Sequence, residues 1–294
     1  MNTIFDRDTW QEIFGSIGQN KMRTIITIIG VLWGILLYIV LSGAAKGVDN
    51  GFEKQFERIS SNMLFIWAQS TSIPYAGFKT DRGIRLKLSD VKTLKNNIPE
   101  IQYIAPRIQK GNFGSGGANA KNGKRSGTFN IYGDYPVLTI VTQKDIYDGG
   151  RFINELDIKE ERKVCVIGER TQKELFKDDV NPIGKYININ SIYFRVIGIH
   201  KYVDEGGGSF NDDGDIHVPF STFKRIYNTG DVVGFLLIAG FDDVNILEVE
   251  EKVRAQLKEI HKIHPDDKQA IGGFNLGALF SRIKDFAKGI SFIS

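Results

Sequence analysis

Four histidines, one cysteine and two glycine-rich segments are the parts of this 294-residue chain whose residue types could do chemistry. Gly117–Lys124 sets glycines ahead of a lysine, as a phosphate-binding loop does. Such a loop needs four residues between its glycines and a Ser or Thr after the lysine to hold magnesium. Here five residues separate Gly117 from Gly123, and Arg125 follows Lys124. Asn211-Asp-Asp-Gly-Asp215 resembles part of a calcium loop, but an EF-hand needs an acid at position 1 and Glu at position 12. Those places hold Ser209 and Phe220. His200, His217, His261 and His264 form no HExxH helix and have no cysteine partners. His261 and His264 read as surface residues at a helix end. Cys165 sits in the apolar run Lys163–Gly168 and reads as a buried small hydrophobe. A lone cysteine allows no internal disulfide. No Gly-x-Ser-x-Gly elbow is present. These residue sets provide no nucleophile with its base, no metal cage and no nucleotide cradle, so the reading is a non-enzyme with no cofactor and no metal site.

The elements that would carry any other function are easier to place. Thr24–Ala45 passes 22 residues without a charge. At 1.5 Å per residue, such a helix is about 33 Å long, enough to cross a hydrocarbon core of about 30 Å. A cleavable signal peptide ending near Ser42-Gly43-Ala44 is the alternative, but its apolar core would be only about 7–15 residues long. Lys21, Arg23 and Lys46 bracket the run closely, which argues against a buried core helix. The net charge of +3 is mild and does not suggest nucleic-acid binding, which usually shows a strongly basic face.

Ahead of the span, Thr9 and Glu12 have the spacing of a capping box, and Trp10, Ile13, Phe14 and Ile17 recur at helical spacing. Residues 1–23 therefore read as an amphipathic helix at the membrane interface. Past the span, Val48, Phe52, Phe56 and Ile59 continue a helical stripe, so the transmembrane helix at 24–45 is expected to extend as a stalk over 46–60. Gly47 or Gly51 could break it.

The following 234 residues alternate short apolar runs with turn signals. Strands are expected at 62–68, at 101–105 (ended by Pro106) and at 128–132. Five more are expected at 163–167, 186–189, 193–199, 215–218 and 233–239. Helices are expected at 89–97 (capped by Ser89), 169–177, 245–261 and 276–286. In the helix over 245–261, Val249, Val253, Leu257 and Ile260 share one face. Residues 111–127 carry no core-forming side chain except Phe113 and read as a loop or hairpin tip. Replacing Gly114–Gly123 by a short bridge should then shift thermal unfolding by only a few degrees. The class is α+β, with strands in the middle and helices around them.

Read in order, several segments are less generic. They are Asn20–Gly34, Leu88-Ser-Asp-Val91, Pro99–Pro106, Ile131–Pro136, Gly149–Ile153, Val166–Glu169, Glu174-Leu-Phe176, Asn181–Lys185, Phe194–Gly198 and Ile216–Pro219. This ordered series resembles the first span and periplasmic core domain of ABC transporter permeases of the macrolide-exporter (MacB/FtsX, type VII) family. The resemblance implies a bacterial inner-membrane permease subunit whose outer domain has two lobes. By position, the porter-like lobe would comprise 61–110 with 223–275, and the sabre lobe 111–222. Residues 276–294 would lead to a second span. Three further spans of the family pattern are missing, so the chain reads as truncated. Implied partners are an ABC ATPase subunit, a second permease subunit (as homo- or heterodimer), the membrane, and a periplasmic adaptor or envelope protein, but no nucleic acid. The implied function is mechanotransmission, in which ATP hydrolysis by the partner moves the outer domain for export or envelope work. The alternative reading is a single-span sensor or adaptor whose outer domain binds an envelope ligand or protein.

Without a phosphate loop, the purified chain should turn over no ATP. Steady hydrolysis that Lys124→Ala abolishes would contradict this reading.

Overall fold

The computed structural model describes residues 21–56, 62–110, 117–142, 144–176, 180–201, 213–241 and 243–275. The chain divides into an anchor unit ending at Glu53 and a domain beginning at Lys54.

In the anchor unit, helix α1 (Lys21–Phe56) runs for 36 residues. At 1.5 Å per residue it is about 54 Å long. Its Lys21–Ala44 portion has a mean hydropathy of 2.6, and none of it is buried against protein among the described residues. The core helix of a soluble protein would bury such a surface, whereas a bilayer supplies the missing apolar solvent. Gly47 and Gly51 lie inside the helix without breaking it.

The domain is built on an 11-stranded sheet. In chain order its strands are β1 (Met63–Ala68), β3 (Ile101–Gln109), β4 (Ala118–Asn122), β5 (Arg125–Phe129) and β6 (Ile131–Asp134). These are followed by β7 (Val164–Gly168), β8 (Tyr186–Ile189), β9 (Ile192–His200), β10 (Ile216–Pro219), β12 (Phe235–Gly240) and β13 (Ile271–Asn275). A small separate pair joins β2 (Leu86–Lys87) to β11 (Val232–Val233). The spatial order is β13-β1-β12-β3-β6-β10-β7-β9-β8-β4-β5. Among the described residues only β6/β10 and β7/β9 pair in parallel.

Helices α2 (Leu88–Asn97) and α7 (Ile246–Ile260) cover the β13-β1-β12-β3 end. Among the shorter helices α3 (Leu138–Thr142), α4 (Glu155–Lys159), α5 (Glu169–Leu175) and α6 (Phe220–Tyr227), α5 and α6 pack on the other end. Asn245 caps α7 by accepting from the Leu247 amide at 3.0 Å. Ile246, Val249, Val253 and Leu257 bury one face of α7, while Ile260 stays half-exposed. At about 1.5–3 kcal/mol per buried side chain, that face contributes on the order of 6–12 kcal/mol.

Several expectations need correction. Helix α2 starts at Leu88, and Ser89 is not its cap. Asp90 reaches back to accept the Lys87 amide at 2.9 Å. Asp90 also bonds His261 Nε2 at 2.8 Å, so His261 is a largely buried link between α2 and the end of α7. Pro106 does not end β3. On its far side β3 meets β6 only at Ile108 and Gln109, so no ladder there asks Pro106 for an amide. The strand expected over 128–132 is split at Asn130, whose side chain turns to donate to Asp215 Oδ1 at 3.1 Å. Strand β13 was not expected. Its Gly272 lies under Trp67, where an added Cβ would come within 2.3 Å of the indole nitrogen.

The largest correction concerns the segment read as a loop or hairpin tip and as dispensable for folding. Residues 118–129 form the β4–β5 hairpin, and β4 also pairs with β8. Ala118, Ala120 and Phe129 are buried in the core. Replacing Gly114–Gly123 therefore removes a strand with neighbours on both sides. The expected result is loss of several kcal/mol and a thermal midpoint lowered by well over the few degrees of a solvated loop. Calorimetry or circular dichroism melts of the variant decide this.

Candidate functional site

The sheet nearly separates into two parts between β3 and β6. Among the described residues these strands share the pairs Ile108↔Gly133 and Gln109↔Tyr132, with the Lys110 amide donating to the Ile131 carbonyl at 3.0 Å, and the ladder stops there, leaving a fork. Their close approach requires Gly133, since a Cβ there would meet Phe223 Cβ at 2.7 Å and Ile108 Cγ2 at 2.8 Å.

Charged groups fill the fork. Asp134, at the end of β6, is fully buried, and Arg107 on β3 is 2% exposed. Arg107 Nε donates to Asp134 Oδ1 at 2.5 Å and Nη2 donates to Oδ2 at 3.1 Å. The guanidinium carbon lies 4.2 Å from the Tyr132 ring centre and 5.4 Å from that of Phe235. From β10, His217 Nδ1 meets Asp134 Oδ2 at 2.6 Å. His200 on β9 packs edge-on to His217, with ring centres 5.0 Å apart, and donates from Nε2 to the Asp215 carbonyl at 3.0 Å.

Burial pushes the Asp134 carboxyl up, but Arg107 and His217 outweigh it and hold the pKa down to about 2. Burial and the neighbouring Lys144 and Arg107 lower His217 to about 4 against the pull of Asp134. Burial, with Lys144 and His217, also holds His200 well below its ordinary value. Near neutrality Asp134 is thus a carboxylate, and both imidazoles are neutral. The arrangement suits a fixed joint. Arg107 saturates the carboxylate bidentately, and His217 orients it. Beside the fork, a surface groove of about 590 Å³ is floored by Leu88, Val91, Ile104, Pro106 and Val137, with Tyr135 at its wall.

Sequence reasoning missed this cluster. The available signal was a charge or histidine inside an apolar strand, such as His217 between Ile216 and Val218. Of the residues singled out earlier, Trp10, Ile13, Phe14, Ile17 and Ile59 lie outside the described residues. Val48, Phe52 and Phe56 are positions on α1. Cys165 is buried in β7, and burial pushes its thiol pKa up. Among the described residues no group of His, Cys, Asp or Glu could hold a metal ion.

One helix long and apolar enough to cross a membrane precedes an α+β sheet domain in the chain. The chain belongs to the family of MacB-like periplasmic core domains, which matches residues 24–256. It is 24% identical over 264 residues to the pyoverdine export ATP-binding/permease protein PvdT of Pseudomonas syringae pv. syringae, covering 87% of this chain and 38% of that protein. It is 27% identical over 262 residues to the macrolide export ATP-binding/permease protein MacB of Aggregatibacter actinomycetemcomitans, covering 87% and 39%. The chain thus spans about two fifths of the length of these relatives. The fold matches the crystal structure of the periplasmic region of MacB from Actinobacillus actinomycetemcomitans with a TM-score of 0.59, at 24% identity, covering 78% of this chain and 96% of that one. It also matches the extracellular domain of the noncanonic ABC-type transporter YknZ from Gram-positive bacteria, with a TM-score of 0.57, at 17% identity, covering 73% and 100%.

The buried histidines make stability depend on pH in a definite sense. An unfolded histidine binds a proton near pH 6.5, whereas folded His217 resists until about 4. Between those values the unfolded chain binds more protons, so stability falls as pH drops. The loss from His217 is on the order of 3 kcal/mol. Chemical denaturation from pH 7 to 4 should show this slope. His217→Asn, whose amide can still donate to Asp134, should reduce the slope by the His217 share and leave that of His200; an unchanged slope would assign the effect elsewhere.

Proposed function

We propose that this chain is a permease component of an ABC transporter that transmits force and does no chemistry itself. The observation that supports it best is α1, whose span continues without a break into a stalk reaching Phe56. A helix moves as a rod, so a tilt within the bilayer becomes a displacement at its outer end, whereas a flexible linker would absorb it. In this reading residues 1–23 lie on the cytoplasmic face of a bacterial inner membrane. Trp10, Ile13, Phe14 and Ile17 rest in the interface there, and a partner ATPase acts on that side. Val48, Phe52, Phe56 and Ile59 pack against the stalk of a second permease subunit.

Outside the membrane, the porter-like lobe is 61–110 with 223–275, and the sabre lobe is 111–222. The narrowing of the sheet to two residue pairs between β3 and β6 supports a division there. The buried Arg107–Asp134–His217 cluster would keep the lobes moving together. The relatives export pyoverdine and macrolides by name; export or envelope work of that general kind is what the lever would drive.

The test uses a full-length relative with its ATPase. Four Gly-Ser residues are inserted at the position matching Gly51. The outer domain should fold and ATP should still be hydrolysed, while transport falls sharply. Transport at the unaltered rate would remove the lever and leave the stalk as a tether.

A further inference from the structure

The far end of the sheet, strands β9, β8, β4 and β5, buries one face and opens the other to solvent. Strand register decides which side chains share the open face. Tyr193 stands opposite Asn188, and Arg195 opposite Tyr186. Lys121 continues the first row beside Asn188. Ser126 completes that row, and Asn119 with Thr128 forms the next. The intervening residues Ala120, Ile187, Ile189, Phe194 and Val196 point the other way and are buried. Two tight turns hold this register. Asn190 and Ser191 take φ of 46° and 70°, as a type I′ hairpin turn requires, and Gly123 takes 60°.

The composition of the open face is unusual. Tyr186 is 57% exposed and Tyr193 64%. They lie on a cross-strand diagonal, which separates their Cα atoms by about 7–8 Å. Around them, in the strand registers, stand two cations (Lys121, Arg195), two amides (Asn119, Asn188) and two hydroxyls (Ser126, Thr128), with no acidic side chain in these rows among the described residues. The side chains of Lys121, Arg195 and both tyrosines make no hydrogen bond or ion pair with the described residues.

These exposed amides, hydroxyls and cations form a polar surface rich in hydrogen-bond donors and acceptors. A sugar chain matches each feature. The C–H face of a pyranose ring stacks on a tyrosine ring, which gives apolar area with a polar tip. Sugar hydroxyls exchange hydrogen bonds with Asn119, Asn188, Ser126 and Thr128. Carboxylates on the sugar meet Lys121 and Arg195, with the guanidinium favouring a planar acid.

We propose that this face binds an acidic polysaccharide of the cell envelope, with Tyr186 and Tyr193 as stacking platforms for two rings of one chain. The proposal does not depend on coupling to an ATPase. It needs only that the domain lie outside the cytoplasm, where such glycans are found.

The test titrates the full chain, held in phosphatidylcholine nanodiscs, with tetragalacturonic acid and follows binding by calorimetry. Maltotetraose is the neutral control and tetraglutamate the acidic peptide control. Saturable binding of the uronate is expected. Tyr186→Ala with Tyr193→Ala should weaken it about fivefold or more, and Lys121→Ala with Arg195→Ala should do the same. Maltotetraose should bind more weakly than the uronate. Because all four side chains are exposed, melting curves of the variants should match the parent. Absent uronate binding, binding indifferent to the tyrosine pair, or equal binding of tetraglutamate would each overturn the proposal.

Discussion

Asp134 carries a full charge in a place that water does not reach, and much of the domain is arranged around that fact. An isolated carboxylate there would cost several kcal/mol. Arg107 answers it from β3 and His217 from β10. Those strands belong to different parts of the sheet, so the charge can be satisfied only when the parts meet at one angle. Geometry reinforces the electrostatics. Gly133 lets β6 close on Ile108, and rings of Tyr132 and Phe235 flank the guanidinium. Removing one partner would leave an uncompensated buried charge, at a cost of about 3–5 kcal/mol. Replacing all of them with apolar residues could leave stability unchanged, which points to specificity of arrangement as the gain.

That constraint bears on function through the anchor. In the proposed lever, helix α1 would be the rod and the domain held together by the fork cluster would be the part it moves. This fits a family whose curated members are export proteins carrying an ATP-binding part in addition to a permease. The tyrosine-bearing sheet end lies on strands remote in the sheet order from β1 and β13.

Much of this fold was legible in the sequence because burial writes itself in period. The charge-free run 24–45, the 245–261 stripe and the alternating runs at 186–189 and 193–199 all became the expected elements. Misreadings arose where tertiary pairing overrode local pattern. Ala118 and Ala120 are too small to signal a core, yet β8 and β5 on either side make β4 a central strand. Pro106 looked like a stop because the absence of a ladder on one side of β3 is not a local property. Gly272-Gly273 hid β13, since the reason for glycine there is a tryptophan on another strand. The fork cluster was invisible for the same reason. Arg107, Asp134 and His217 are up to 110 residues apart and converge only once the sheet has formed.

The central claim is that the outer domain moves as one stiff piece. Pulsed dipolar spectroscopy on the full chain measures this directly, with spin labels at Asn96→Cys on α2 and Lys173→Cys on α5. Cys165 is buried and should remain unlabelled. A single narrow distance distribution is expected, which broadens when Arg107→Met breaks the fork. A broad or two-peaked distribution in the parent would show two lobes that already swing independently, and would contradict the account.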